Sequence, residues 1–363
     1  MENIQTNTLI ESPHDNIIAD HFNYHLLSKK NLTVSYLVKK DSILENLYSK
    51  SSNLFTQQFI KKQEQEDINS KKGKTQPLRK QIKNDDTNLL LNACKRLKES
   101  NLNKLSSLVI KQDAFQLEQN VTTRDHMEDY LVIKKNYMND RYKILYILCD
   151  GHSGDQVAKI AVERLPIIFS CALLETNFEV EKSINESFRK MDEELTEFTD
   201  TGATCCLVYI CVENGNRVVY SGNVGDSRTI LVKQKETIRL SFDHKANEKS
   251  EMKRVKQDGG LIIRGRLYGT LAITRALGDF NFKIDVNGLS NIPYVTRNII
   301  EESDKYIICG SDGIWDVINE EKATILINES QIINSTDLCQ LFIKKAIEYG
   351  SKDNISCIVI KLN

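Results

Sequence analysis

A chain of 363 residues with 40% hydrophobic content can bury a large core, either as one domain with an extension or as two domains. Its 49 basic and 50 acidic side chains leave a net charge of −1, which excludes bulk electrostatic attraction to nucleic acid or to an anionic membrane. No apolar run approaches the roughly 20 residues of a membrane span. The nine cysteines, an odd number without Cys-x-x-Cys spacing, read as reduced core residues rather than a disulfide frame or a zinc site.

Residues 1–106 are rich in Asn, Lys, Ser and Gln and bury too little apolar surface to offset the entropy of ordering. They read as a polar, largely linker-like extension with one short helix near 86–99, where Leu90, Cys94 and Leu97 share a face. The basic stretch from Lys71 to Lys80 is taken as solvated linker ahead of a nuclear-import signal. The opening Met1-Glu-Asn-Ile-Gln-Thr lacks the features of a secretion signal, and Glu2 stands where myristoylation needs glycine. A cytoplasmic protein is expected, with the nucleus as the second location.

Residues 107–363 carry the patterning of a packed α+β domain. Strands are predicted at 130–134 and 141–149, then a helix over 155–165 closed by Pro166, and a second helix over 180–198 aligning Ile184, Phe188, Met191 and Leu195. Strands at 204–212 and 217–223 flank Asn214-Gly215, a strong hairpin signal. Further strands are predicted at 228–232 and 237–240. Helices over 320–327 and 336–349, the latter stopped by Gly350, precede a last strand at 355–362. Hairpins imply antiparallel pairing, and helices in separate blocks suggest a β-sandwich covered by helices.

Acidic residues punctuate this pattern. Glu128-Asp129, Asp150, Asp279, Asp312 and Asp353 mostly sit where an apolar run stops or turns. The run 142–149 ends in Asp150-Gly151, and Tyr306-Ile-Ile-Cys309 leads into Gly310-Ser311-Asp312-Gly313. One Asp-Gly alone is a turn signal. Several delivered to one sheet edge would collect carboxylates into a metal site, and oxygen donors without cysteine or multiple histidines select Mg²⁺ or Mn²⁺.

In order and spacing, Arg124-Asp-His-Met-Glu-Asp129, Asp150-Gly151-His152-Ser-Gly154, Gly202-Ala-Thr204, Gly225-Asp226-Ser227-Arg228, Asp243-His244-Lys245, the segment Gly269 to Asp279, Ser311-Asp312-Gly313-Ile-Trp315-Asp316 and Asp353-Asn354-Ile355-Ser356 resemble the metal-dependent type 2C protein serine/threonine phosphatases. The resemblance spans about 257 residues, the size of one catalytic domain. It implies a central antiparallel β-sandwich of two sheets flanked by helices on both sides, in a monomer acting on phosphoproteins, with neither nucleic acid nor membrane as partner. It implies hydrolysis of phosphoserine and phosphothreonine by a water bridging two Mg²⁺ or Mn²⁺ ions. Asp150 would bridge the ions, with the Gly151 carbonyl on one, Asp279, Asp312 and Asp353 on the other, and Glu128 and Asp129 acting directly or through water. Asp226 with Asp279 would support a third, weaker ion. Arg124 would hold the phosphate and His152 would protonate the leaving alkoxide, whereas His126 and His244 are expected to be structural.

Departures from the pattern are Ser153 in place of a second glycine, Ala203 for Ser, Ala246 for Pro and Asn281 for Asp. The alternative is a pseudophosphatase, a regulatory binding module on the same fold. The intact carboxylate set favours the enzyme, because a binding module has no need to gather so many like charges. Substrate specificity is expected in the loops 239–267 and 283–290.

Overall fold

The computed structural model describes residues 109–363 apart from 235, 331 and 333. The expected extension, its boundary and the helix near 86–99 lie outside the described residues. In chain order the elements are β1 (Gln112–Glu118), β2 (Asp129–Lys134), β3 (Ile144–His152), α1 (Gln156–Glu175), α2 (Val180–Glu193), β4 (Gly202–Ala203), β5 (Cys205–Glu213), β6 (Asn216–Val224), β7 (Arg228–Val232) and β8 (Thr237–Arg239). There follow α3 (Lys249–Gln257), β9 (Ile262–Ile263), β10 (Arg266–Leu267), β11 (Leu277–Gly278), β12 (Tyr294–Ile299), β13 (Tyr306–Gly310), α4 (Asp312–Trp315), α5 (Glu320–Ser330), α6 (Ser335–Glu348) and β14 (Ile355–Lys361).

Two antiparallel sheets result. One runs β1-β14-β13-β7-β8; the other runs β11-β4-β3-β5-β6-β12, with β2 also paired to β3. Both faces of the central strands are covered, which is why they read as continuous apolar runs rather than alternating ones. On β3, Leu145, Ile147 and Cys149 pack against α1 and α2 beside Phe169 and Phe188. Tyr146 and Leu148 point the other way, into the space between the sheets, against Leu231, Ile307, Cys309 and Ile358. The far side of the β1-β14-β13-β7-β8 sheet is covered by α5 and α6, with Ile308 and Val359 meeting Phe342 and Ile327. The flanked sandwich is therefore as expected. Among the described residues no helix is long and apolar enough to cross a membrane.

The hairpin over Asn214-Gly215 forms with φ of 50° and 83°, the mirror-image turn that matches strand twist. The first helix corrects the sequence reading. It does not stop at Pro166 but runs through it to Glu175. A proline inside a helix costs about 3 kcal/mol; here the residues beyond it, Ile168, Phe169, Ala172 and Leu173, are all buried against the sheet and offset that loss. The second helix ends at Glu193, earlier than its apolar spacing suggests, and Leu195 continues into the core from a turn. Strands β1 and β12 went unread because they are edge strands with exposed, polar-rich faces. The eight cysteines among the described residues are unpaired, and seven are buried.

Residues 245–292 add a small unit with its own apolar cluster of Val255, Leu267, Ile273, Ala276 and Leu289, built from α3 and the β9–β10 hairpin. The loops expected to carry specificity largely fall within it.

Candidate active site

The ladders explain why acids so distant in sequence meet. Pairing of β2 with β3 sets Asp129 directly opposite Asp150 and brings Glu128 alongside, where its carbonyl accepts from Gly151 N–H at 3.1 Å. In the other sheet, the antiparallel partners of Gly310 are Cys357 and Arg228. The end of β13, the start of β14 and the start of β7 thus lie side by side, and the residues just outside them are Asp312, Asp353 and Asp226. Both sheets present their acids at one end of the sandwich.

Polar residues stitch the two sheets together there. Ser356 Oγ donates to Asp129 Oδ2 at 2.5 Å. Thr204 Oγ1 lies 2.7 Å from Ser227 Oγ and accepts from Asp150 N–H at 3.2 Å. Asn354 accepts from Glu128 N–H at 2.9 Å through Oδ1 and donates through Nδ2 to the carbonyls of Gln119 (2.8 Å) and His126 (3.0 Å). Arg124 forms an ion pair with Asp353 while its guanidinium stays open to solvent. Lys245 Nζ lies 3.5 Å from Asp226 Oδ2 and 2.5 Å from Asp316 Oδ1.

The electrostatics follow from this crowding. Burial, and after it the charges of Asp129, Asp312, Asp226 and Asp353, push the Asp150 carboxyl well above the ordinary carboxylate range. Asp312 is pushed up likewise, first by burial and then by Asp226, Asp353 and Asp316. Burial raises Asp129 from 3.8 to about 6, against the opposing hydrogen bonds of Ser356 and Ser311. That is on the order of 3 kcal/mol against ionisation. Asp226 is raised by burial, partly countered by the Lys245 ammonium.

Such a cluster suits a hard divalent cation. Asp129 Oδ1 and Asp312 Oδ1 are buried with no hydrogen-bond partner, and all the donors are oxygens. Among the described residues, no three His, Cys, Asp or Glu side chains stand close enough to hold an ion as they are placed, several being held instead by protein donors.

The protein phosphatase 2C family model matches residues 113–355, well over half of the chain. The chain belongs to the protein phosphatase 2C family. Over 256 residues it is 34% identical to protein phosphatase 2C homolog 1 of Saccharomyces cerevisiae, covering 66% of this chain and 89% of that one. Its fold is similar to that of a sex determining protein of C. elegans, with TM-score 0.62, 24% identity and coverage of 70% of this chain and 65% of that one. It is also similar to a serine-threonine phosphatase 2C from Toxoplasma gondii, with TM-score 0.60, 18% identity and coverage of 69% and 94%. The protein is accordingly a protein serine/threonine phosphatase, a hydrolase.

Within the phosphatase, Asp279 meets His152, whose Nε2 donates to Asp279 Oδ2 at 2.6 Å. The sequence reading put Asp279 on an ion with Asp312 and Asp353, and on a third ion with Asp226; the structure pairs its Oδ2 with His152 and leaves its Oδ1 buried without a hydrogen-bond partner. Acids at strand ends look alike in sequence; β4 and β11, two residues each, decide where this one goes. His152 faces Gly202 on β4, and Gly202 faces Gly278 on β11. With no side chain on Gly202, the imidazole and the carboxylate meet over it.

A Cβ on Gly202 would stand 2.0 Å from Asp279 Oδ2 and 2.6 Å from His152 Nε2. Gly202→Ala is expected to part the pair and lower phosphoserine-peptide turnover on the order of tenfold or more. Overpacking by about 1–3 kcal/mol should accompany it as a lower melting temperature. Wild-type phosphate release by this variant would show that the contact is dispensable.

His244 is structural as expected: it is fully buried, its Nδ1 is 3.0 Å from the Gly225 carbonyl, and burial lowers it to about 3. Ser153 adopts φ 57°, the left-handed region that explains a glycine preference there. Ser311, Ser356, Thr204 and Asn354 were missed as site residues. They stand inside the motifs that carry the resemblance, but by themselves showed only a hydroxyl or amide at the end of an apolar run.

Proposed function

We propose that this phosphatase hydrolyses phosphoserine and phosphothreonine on proteins with Mg²⁺ or Mn²⁺ held by Asp150, Asp129, Asp312 and Asp353, the Gly151 carbonyl, and Glu128 and Asp226 at the margin. The observation that carries the reading is the convergence of buried, mutually repelling carboxylates, two of them with an unpartnered oxygen, beside one arginine and one histidine. Divalent cations bound there would polarise the phosphoryl oxygens and lower the pKa of a water so that it serves as nucleophile.

The chain's own groups do the rest. Arg124, tethered through one nitrogen by Asp353, presents a planar fork that donates to phosphate oxygens. Asp279 engages Nε2 of His152 and fixes the ring, so Nδ1 is the atom that carries a proton to the departing seryl or threonyl oxygen. All of these groups come from one chain, so a monomer suffices.

The test combines phosphate release with thermal unfolding of chelator-treated protein. Turnover of a phosphoserine peptide should require added Mg²⁺ or Mn²⁺. Metal at about a hundredfold its dissociation constant should add about 2.7 kcal/mol of stability, or about 5–10 °C in melting temperature for a domain of this size. The gain depends on pH. Because Asp129 is raised to about 6 in the fold from 3.8, its contribution to metal-free stability is present below about pH 4 and is lost as pH rises through about 6. Metal needs the ionised carboxylates, so the increment should be larger at about pH 7.5 than at about pH 5. Peptide binding without cleavage in saturating metal would instead establish the binding-module reading.

A further inference from the structure

We propose that Asp192, on α2, is a positioning residue for the proton-donating pair, acting through the backbone that precedes Asp279. This deepens the proposed role of His152 and rests on it. Asp192 is 3% exposed. Its Oδ1 accepts from Gly278 N–H at 2.9 Å and from Lys283 Nζ at 2.5 Å, and its Oδ2 accepts from Asn291 Nδ2 at 2.8 Å. Lys283 also donates to the Ala276 carbonyl at 2.9 Å.

Gly278 and Asp279 are consecutive left-handed residues, with φ of 76° and 51°. For a non-glycine this conformation persists only when its surroundings impose it. Two bonds impose it here: Gly278 N–H to Asp192, and Asp279 N–H to the Thr201 carbonyl at 2.9 Å. On the α2 side Leu277 packs with Phe188 and Met191, but beyond it a cleft of about 330 Å³ opens between Arg189, Asp192 and Glu193 and the segment bearing Phe280, Lys283 and Asn291. The Asp192 carboxylate spans that gap, gathering donors from three positions of the facing segment. Releasing it frees the peptide before Asp279, lets the carboxylate drift and loosens the imidazole that it orients.

A residue acting through the general acid has a signature that a merely structural residue lacks. A seryl alkoxide needs a proton to leave, whereas p-nitrophenolate, a weak base, departs without one. Steady-state rates of the full chain on a phosphoserine peptide and on p-nitrophenyl phosphate, measured on the same preparation with the same metal, give a ratio independent of the fraction folded. For Asp192→Asn, kcat on the peptide should fall on the order of tenfold more than kcat on the aryl ester, with KM little changed. Asn291→Ala, which removes only one donor to Asp192, should shift the ratio in the same direction by less, and it carries the test if Asp192→Asn does not fold. His152→Ala is the reference. If His152→Ala discriminates between the substrates while Asp192→Asn and Asn291→Ala slow both equally, the inference is overturned and the role of His152 stands. If His152→Ala itself does not discriminate, the role of His152 fails and the inference with it.

Discussion

Asp150→Asn is expected to lower phosphoserine-peptide turnover on the order of 10³-fold or more, because one change removes the charge at the centre of the cluster and several kcal/mol of cation-mediated stabilisation. The side chain keeps its shape, so the fold should persist. Its effect on stability should have the opposite sign. The Asp150 carboxyl is held well above its ordinary range by burial and by Asp129, Asp312, Asp226 and Asp353, so its ionised form costs free energy at neutral pH. A group raised in the folded state contributes stability that is lost as pH rises, and asparagine removes that loss. Metal-free Asp150→Asn should therefore melt at the same temperature as wild type or higher at neutral pH, while its gain on metal addition disappears. Phosphate release and calorimetry, with chelator and with metal, check both halves. Wild-type turnover would remove Asp150 from the centre of the mechanism, and a marked drop in metal-free melting temperature would show that its charge is satisfied by protein donors.

Gly313→Ala is expected to damage stability and activity together. A Cβ at Gly313 would lie 2.0 Å from the Asn354 carbonyl oxygen and 3.0 Å from its carbon. These are backbone atoms and cannot rotate aside. Gly313 follows Asp312 and Asn354 follows Asp353, so any relief must separate those two acids. It must also disturb Glu128, whose N–H donates to Asn354 Oδ1 at 2.9 Å. Overpacking of this kind costs about 1–3 kcal/mol, and each kcal/mol lowers the melting temperature by about 2–4 °C in a domain of this size. A displacement on the order of 1 Å in the acids should lower turnover on the order of 10²-fold. Gly215 is the control. It lies at the opposite end of its sheet, with φ 83° and no atom within 4 Å of where a Cβ would stand, so Gly215→Ala should cost about 1 kcal/mol and leave turnover unchanged. Equal turnover in Gly313→Ala and wild type would show that Asp312 and Asp353 need not be held at this spacing.

Much of the site was legible because its residues interrupt strong patterns. Asp150 and Asp312 end apolar strands, and Arg124 and His152 lie within four residues of those acids or of Glu128-Asp129. Asp192 was invisible for the converse reason: it sits in an amphipathic helix among Lys190, Glu193 and Glu194, where a carboxylate looks like solvated surface. Asn354 and Ser356 gave little signal, since an amide and a hydroxyl at a strand start are ordinary turn chemistry.

By itself the sequence determined the central strands, the long helices and the identity of the acids, because hydrophobic period and turn chemistry are local properties of the chain. Tertiary structure alone decided three matters. Pro166 lies within a helix, since the buried residues after it outweigh a lost hydrogen bond. Asp279 meets His152, since two two-residue strands and a bare glycine set its neighbour. Asp192 faces inward, since the donors that make its burial tolerable come from residues 278–291, far along the chain. Each depends on which distant atoms arrive to compensate a local cost, and that is a property of the assembled fold.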